Sequence, residues 1–185
     1  FSTLLFPQDG ASIAGPVLVE GVVGSAVPVS RAQLFVNGEF HDAIEVNSRG
    51  YYRYRLEAEF LQEGENIVQV SIEPGSEDRV SSREIRFDYS PYGPYATIES
   101  HQVGDFVSSR PWISGVAGYT HDLDVEAREN RDALRRMEVE RVMISLDNGR
   151  TFMEADGGEE WRYRIETADV PEGPLAVIVR AEYKN

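Results

Sequence analysis

The stretch Tyr52-Arg53-Tyr54-Arg55-Leu56-Glu57 returns 109 positions later as Trp161-Arg162-Tyr163-Arg164-Ile165-Glu166. A chain that spells one alternating pattern twice at a fixed offset folds one kind of unit twice. The offset is kept where Glu63-Gly64 falls on Glu172-Gly173, and where Val68, Val70 and Ile72 fall on Val177, Val179 and Ala181. Each copy alternates apolar with charged residues, the period of a strand with one buried face. That parity turns Tyr52, Tyr54 and Leu56 inward, and with them Trp161, Tyr163 and Ile165. At 185 residues and 41% hydrophobic content, the chain divides into domains 1–90 and 91–185, each large enough for a small core.

Turn chemistry cuts the first copy into short strands. Leu4-Leu5-Phe6 is closed by Pro7-Gln8-Asp9-Gly10, and Val17-Leu18-Val19-Glu20-Gly21 opens after Gly15-Pro16. Gly21 and Gly24 interrupt a strand pattern, which marks a bulge or a close backbone approach. Ala32 to Val36 runs into Asn37-Gly38, a strong hairpin signal because both residues tolerate positive φ. Strands at 40–44, 51–57, 67–73 and 83–87 follow, making seven with no convincing helix. Closely spaced short strands of this kind make an antiparallel β-sandwich.

Phe6-Pro7-x-Asp9-Gly10, Gly15-Pro16-Val17-x-Val19-x-Gly21, Phe35-Val36-Asn37-Gly38 and Glu63-Gly64-x-Asn66-x-Val68 together resemble the bacterial immunoglobulin-like modules of exported enzymes and surface proteins, including the type seen in glucodextranase. The resemblance covers most of residues 3–89 and implies seven-stranded sandwiches used as spacers, packing platforms or adhesive units. Its motifs are turn signatures and speak to fold more than to function.

Residues 88–95 carry two prolines and read as a short, semi-rigid linker, with Tyr92 and Tyr95 placed to pack there. In the second copy Pro111-Trp112-Ile113-Ser114-Gly115 matches Val17-Leu18-Val19-Glu20-Gly21, and Gly118 matches Gly24. From Gly24 to Asn37 is 13 residues and from Gly118 to Asn148 is 30, so an insertion of 17 lies between the second and third strands. Its composition and Asp124 as N-cap predict a short helix within 119–138. As a loop on a rigid scaffold it is the candidate partner-binding element, through Asp124, Arg128, Arg131, Arg135 and Met137. Val142, Ile144 and Leu146 form an inward face, and the final strand is expected at 175–182. The second sandwich is then one strand short, which leaves 175–182 open to strand pairing with a partner.

Charge and composition narrow the function classes. The net charge of −14 disfavours contact with phosphate backbones, so nucleic acid is not expected as a partner. No apolar run approaches the ~20 residues of a membrane-spanning helix, so membrane insertion is not expected. With no cysteine, the fold rests on neither disulfides nor thiolate metal sites. A chain beginning at Phe1 is expected to be a processed or excised piece, so its lack of a signal peptide carries no weight.

Ser145-x-Asp147-x-Gly149-x-Thr151-Phe152 resembles the Asp-box of sialidases, S-x-D-x-G-x-T-[WF]. That likeness implies a hairpin brace in which the carboxylate accepts turn amides, glycine supplies positive φ and the aromatic packs beneath. A sialidase needs several such boxes around an arginine triad, and this chain has one. His121-Asp122-x-Asp124-x-Glu126 and Asp156-Gly157-Gly158-Glu159-Glu160 offer oxygen ligands without the spacing of a known calcium loop, so solvated acidic turns are the expectation and no metal or cofactor is assigned. His41, His101 and His121 are isolated, and neither a Gly-x-Ser-x-Gly elbow nor a phosphate-cradling loop occurs, so no catalytic residue is assigned and no enzyme is expected. Arg53, Arg55, Arg162 and Arg164 face outward, where pairing with glutamates of adjacent strands is expected. Trp112 also has outward parity: it could stack on a sugar ring, or be buried against the preceding strand or the insertion.

These features lead to an expectation of a non-catalytic tandem immunoglobulin-like segment of a larger exported bacterial protein. It would sit outside the cytoplasm (periplasmic, cell-surface or secreted), beside neighbouring domains of its parent chain, as spacer and protein-interaction surface. The alternative is a carbohydrate-binding accessory module of a glycoside-active enzyme, with Trp112 as its stacking aromatic.

Overall fold

The computed structural model describes residues 1–73, 79–120, 137–166, 168, 170 and 172–184. It is an all-β structure with a 3-10 turn at Ala58–Phe60, and it divides into units Phe1–Pro91 and Tyr92–Asn185. The first unit has strands β1 (Ser2–Phe6), β2 (Ala11–Ala14), β3 (Val17–Val23), β4 (Arg31–Val36), β5 (Glu39–Glu45), β6 (Tyr51–Leu56), β7 (Gly64–Ile72), β8 (Val80–Ser81) and β9 (Ile85–Ser90). One sheet has the order β1-β3-β6; the other has the order β2-β9-β7-β4-β5, with β8 on β7. The first strand is therefore shared between sheets: β1 pairs antiparallel with β3, and β2 pairs parallel with β9. Gln8 and Gly10 make this change of sheet, with the Ala11 amide donating to the Gln8 carbonyl and the Gly10 amide to that of Arg86.

Parity decides the core. Val17, Val19 and Leu56 of one sheet meet Leu34, Val68, Val70, Ile72, Ile85 and Phe87 of the other in one buried cluster. Each such side chain contributes roughly 1.5–3 kcal/mol by leaving water. Tyr52 is buried among them, but Tyr54 sits half-buried at the margin. On the opposite face of the smaller sheet, Glu20 and Arg53 are register partners joined at 2.9 Å. Arg55 instead pairs with Glu57 of its own segment.

The second unit has β10 (Gly93–Ile98), β11 (Trp112–Thr120), β12 (Val139–Ser145), β13 (Met153–Glu154), β14 (Asp156–Gly157), β15 (Glu160–Arg164) and β16 (Ile178–Tyr183). Its sheets have the orders β10-β11-β15-β14 and β13-β12-β16. β10, β11 and β15 repeat β1, β3 and β6, while β13, β12 and β16 repeat β5, β4 and β7. Each unit is thus an immunoglobulin-like β-sandwich, and the second core gathers Ile113, Val142, Ile144, Trp161 and Ile165. Tyr183 ties its two sheets together: its hydroxyl donates to the Gly118 carbonyl at 2.5 Å. Burial pushes that hydroxyl up to about 12.

Several expectations change. The last strand of the first unit is Ile85–Ser90 rather than 83–87, because β2 pairs with it out to Ser90 and β7 out to Tyr89. Only Pro91 and Tyr92 then remain between β9 and β10, and Tyr95 belongs to β10, opposite Gly118. Among its described residues the first unit has nine strand segments rather than seven, the additions being β2 and β8. The final strand begins at Ile178 rather than at 175, and Tyr163, like Tyr54, is half-buried. The helix expected within 119–138 falls on residues 121–136, outside the described residues.

Candidate functional site

The expected surface elements lie in different parts of the second unit. Of the candidate partner-binding residues, Asp124, Arg128, Arg131 and Arg135 lie outside the described residues, as does the acidic stretch from His121 to Glu126. Met137 is half-buried in the turn before β12.

Trp112 opens β11 on its outer face and is 43% exposed, so it is not buried against the preceding strand. Its register partner is Arg164, and Arg162 lies opposite Ser114 on the same ladder. Because side chains two apart share a face, both guanidinium groups reach the indole, at 4.9 Å for Arg162 and 5.7 Å for Arg164. These arginines were expected to meet glutamates; the quadrupole of the indole attracts them instead.

The turn after β12 is held by its own side chains. Asp147 Oδ1 accepts the amides of Arg150 and Thr151 at 3.0 and 2.9 Å, and Oδ2 accepts the Thr151 hydroxyl at 2.7 Å. Ser145 Oγ donates to Asp147 Oδ1 and accepts the Gly149 amide, both at 2.8 Å. Gly149 has φ 81° beside Asn148 at 59°, and the Phe152 ring packs near Gly149 under the Arg180 guanidinium, 4.0 Å away. The bonds from Thr151 and Ser145 hold the Asp147 carboxyl down at about 2. The side-chain oxygens of Ser145, Asp147 and Thr151 are all bonded within the turn.

The corresponding turn of the first unit has the same backbone, with Asn37 at φ 52° and Gly38 at 84°, but is held from a distance. Asn37 Oδ1 accepts the Ile67 amide at 2.8 Å, and Asn37 Nδ2 donates to Asn66 Oδ1 at 3.0 Å. Asn66 is fully buried; it also accepts the Gln62 amide and donates to the carbonyls of Gln62 and Gly64. The second unit has Leu175 where the first has Asn66, so it lacks this anchor and carries the local brace.

A shallow groove of about 520 Å³ runs over β11, β14 and β15, with Glu99, Asp156, Glu160 and Arg162 at its rim and Ser114, Gly115 and Trp161 at its floor. No group of three or more potential metal-ligating side chains is found among the described residues. In the first unit, sequence reasoning passed over a cluster in which His41 meets Tyr54 and Phe60 at centroid distances of 5.6 and 4.5 Å. The Tyr54 hydroxyl donates to Asp42 at 3.1 Å; burial and this carboxylate push it above its usual range. Phe60 remains exposed within it. Its members stand at 41–42, 54 and 60 in the sequence, too far apart for one short motif to join them.

No protein-family model matches the chain, and no curated protein is similar to it in sequence. Solved structures to which it is similar include the fibronectin(III)-like modules of CbhA from Clostridium thermocellum, at 13% identity and TM-score 0.41, covering 48% of this chain and 94% of that one. A tetra-tandem repeat from the extending region of a large adhesion protein matches at 10% identity and TM-score 0.37, covering 100% and 46%. A Ca2+-stabilised, ice-binding adhesin of an Antarctic bacterium matches at 14% and TM-score 0.32, covering 95% and 48%. The chain spans less than half the length of both adhesin structures, and at such identities and TM-scores the likeness transfers no property.

Proposed function

We propose that this chain is a non-catalytic tandem segment of a larger exported bacterial protein, which spaces neighbouring domains and offers its loops as a protein-interaction surface. One observation carries the proposal: what the two units repeat is framework. Gly21, Thr3 and Tyr52 recur as Gly115, Thr97 and Trp161, and the positive-φ turn recurs at 37–38 and 148–149. The polar surface clusters do not recur: Asp42, His41 and Tyr54 belong to one unit, and the Asp147 brace and the Trp112 stack to the other. Duplication that keeps core and turns while letting the surface diverge suits a module selected for its shape. Among the described residues no helix is long and apolar enough to cross a membrane. The 119–138 insertion remains the proposed contact element.

The exposure of Trp112 favours a second reading, a carbohydrate-binding accessory module. Against it, two guanidinium groups already lie over the indole. A glycan array probed with the whole chain and with Trp112→Ala separates the two. The spacer reading expects no Trp112-dependent binding; sugar binding that disappears in Trp112→Ala overturns it.

A further inference from the structure

Asn-Gly occurs twice in the sequence, at 37–38 and at 148–149. An asparagine can bring its side-chain carbon Cγ onto the backbone nitrogen that follows, closing a five-membered ring, and a glycine there has no side chain to obstruct the approach. The two turns have matching backbones, with φ 52° and 84° at 37–38 and 59° and 81° at 148–149. Both asparagines are exposed. They differ in what holds the side chain.

Asn37 is tied at both ends of its amide. Its Oδ1 accepts the Ile67 amide at 2.8 Å and its Nδ2 donates to the buried Asn66 at 3.0 Å, so Cγ is fixed against β7. Asn47 is held too, its Oδ1 accepting the amides of Arg49 and Tyr51 at 2.9 and 3.0 Å. Among the described asparagines, Asn148 alone has no side-chain hydrogen bond. Leu175 stands where its distant anchor would be, and the brace that holds the turn instead runs through Ser145, Asp147 and Thr151, leaving the Asn148 side chain out. One bond restrains the nitrogen it would meet, from the Gly149 amide to Ser145 Oγ at 2.8 Å.

We propose that Asn148 is a site of covalent self-modification, which the folded chain converts through a cyclic imide to aspartate and isoaspartate. The Gly149 nitrogen gives its proton to solvent base and attacks Asn148 Cγ. The N–Cγ bond forms, the Cγ–Nδ2 bond breaks, and Nδ2 takes a proton from water and leaves as ammonia. Water then opens the imide: attack at Cγ yields aspartate, and attack at the main-chain carbonyl yields isoaspartate, in which the backbone runs through the former side chain. One water is consumed and one ammonia released, with no oxidant or cofactor. The same steps at Asn37 require both of its side-chain bonds to break first. Isoaspartate adds one main-chain carbon inside the braced turn, which moves the Arg150 and Thr151 amides off the Asp147 carboxylate they bond. The inference concerns the chemistry of one turn and stands whether or not the chain is a spacer.

The whole chain is incubated at mildly alkaline pH, folded and in urea, and its peptides are mapped by mass for the change from amide to acid, with isoaspartate scored by methyl acceptance. In the folded chain the Asn148 peptide is expected to convert at least about tenfold faster than the Asn37 peptide, because two bonds restrain Asn37, and isoaspartate should be among its products. In urea the two should convert at similar rates. Equal rates in the folded chain overturn the proposal, as do an Asn148 peptide that stays intact, one that gives aspartate without isoaspartate, or one that keeps its lead in urea, where local sequence would set the difference. Both tryptophans, Trp112 and Trp161, lie in the second unit, so their fluorescence follows its unfolding. Once conversion is complete, the tryptophan-reported transition should lie at lower urea in the aged parent and be unmoved in aged Asn148→Gly, which tolerates the same φ. A transition unmoved in the parent, or moved equally in both, overturns the proposal.

Discussion

The Trp161 ring lies against the bare α-carbon of Gly115, its partner across the β11–β15 ladder. A Cβ on residue 115 would stand 2.8 Å from Trp161 Cζ2 and overlap the Thr97 carbonyl oxygen. Gly21 has the same relation to Tyr52 and the Thr3 carbonyl. The aromatic that opens each repeat thus needs a glycine facing it and a neighbouring strand close behind. Because the Thr97 obstacle is backbone, Gly115→Ala is expected to cost about 3 kcal/mol, the upper part of the usual overpacking range. Urea unfolding followed by tryptophan fluorescence checks this; a midpoint equal to the parent's would show that the sheet yields more easily than this packing allows.

Asn66 holds the corresponding turn of the first unit through four hydrogen bonds, two accepted and two donated. Asn66→Ala removes them all and leaves the Gln62 amide and the Gly64 carbonyl without that partner. A loss of about 2–3 kcal/mol is expected, from buried polar groups left unsatisfied. The loss should appear in the first unit's unfolding while the tryptophan-reported transition stays in place. A change confined to the second unit would contradict it.

Asp147 gives a pH dependence of definite sign. Its carboxyl sits at about 2, below the ordinary 3.8, because Thr151 and Ser145 donate to the charged form. A lowered folded value means that the stabilisation is complete above 3.8 and is lost as pH falls through 2. Titration of the Asp147 carboxyl carbon by NMR should show a midpoint near 2. A midpoint near 3.8 would mean that the brace bonds do not persist in solution.

The contrast between the two turns shows what a sequence can disclose. The Asp147 brace spans 145–152, so all of its partners appear in one short motif. The Asn37–Asn66 anchor joins residues 29 apart, and neither asparagine signals the other. The repeat at Tyr52 and Trp161 was legible because alternation is local, and the parity it implied holds at Tyr52, Leu56, Trp161 and Ile165. Tyr54 and Tyr163 have the same parity but lie at sheet margins, a matter of lateral position that alternation does not encode. β2 escaped notice because Ala-Ser-Ile-Ala has little pattern of its own; it is a strand through its parallel pairing with β9, more than 70 residues away.

Amide hydrogen exchange of the unmodified chain, read residue by residue, tests most directly the claim that the second unit repeats the first without, among the described residues, a strand beside 173–177. The amides of 64–68 that bond to β9 should be protected, whereas those of 175–177 should exchange at rates close to those of open chain. Protection at 173–177 equal to that at 64–68 would contradict the account, because the edge would then already be covered.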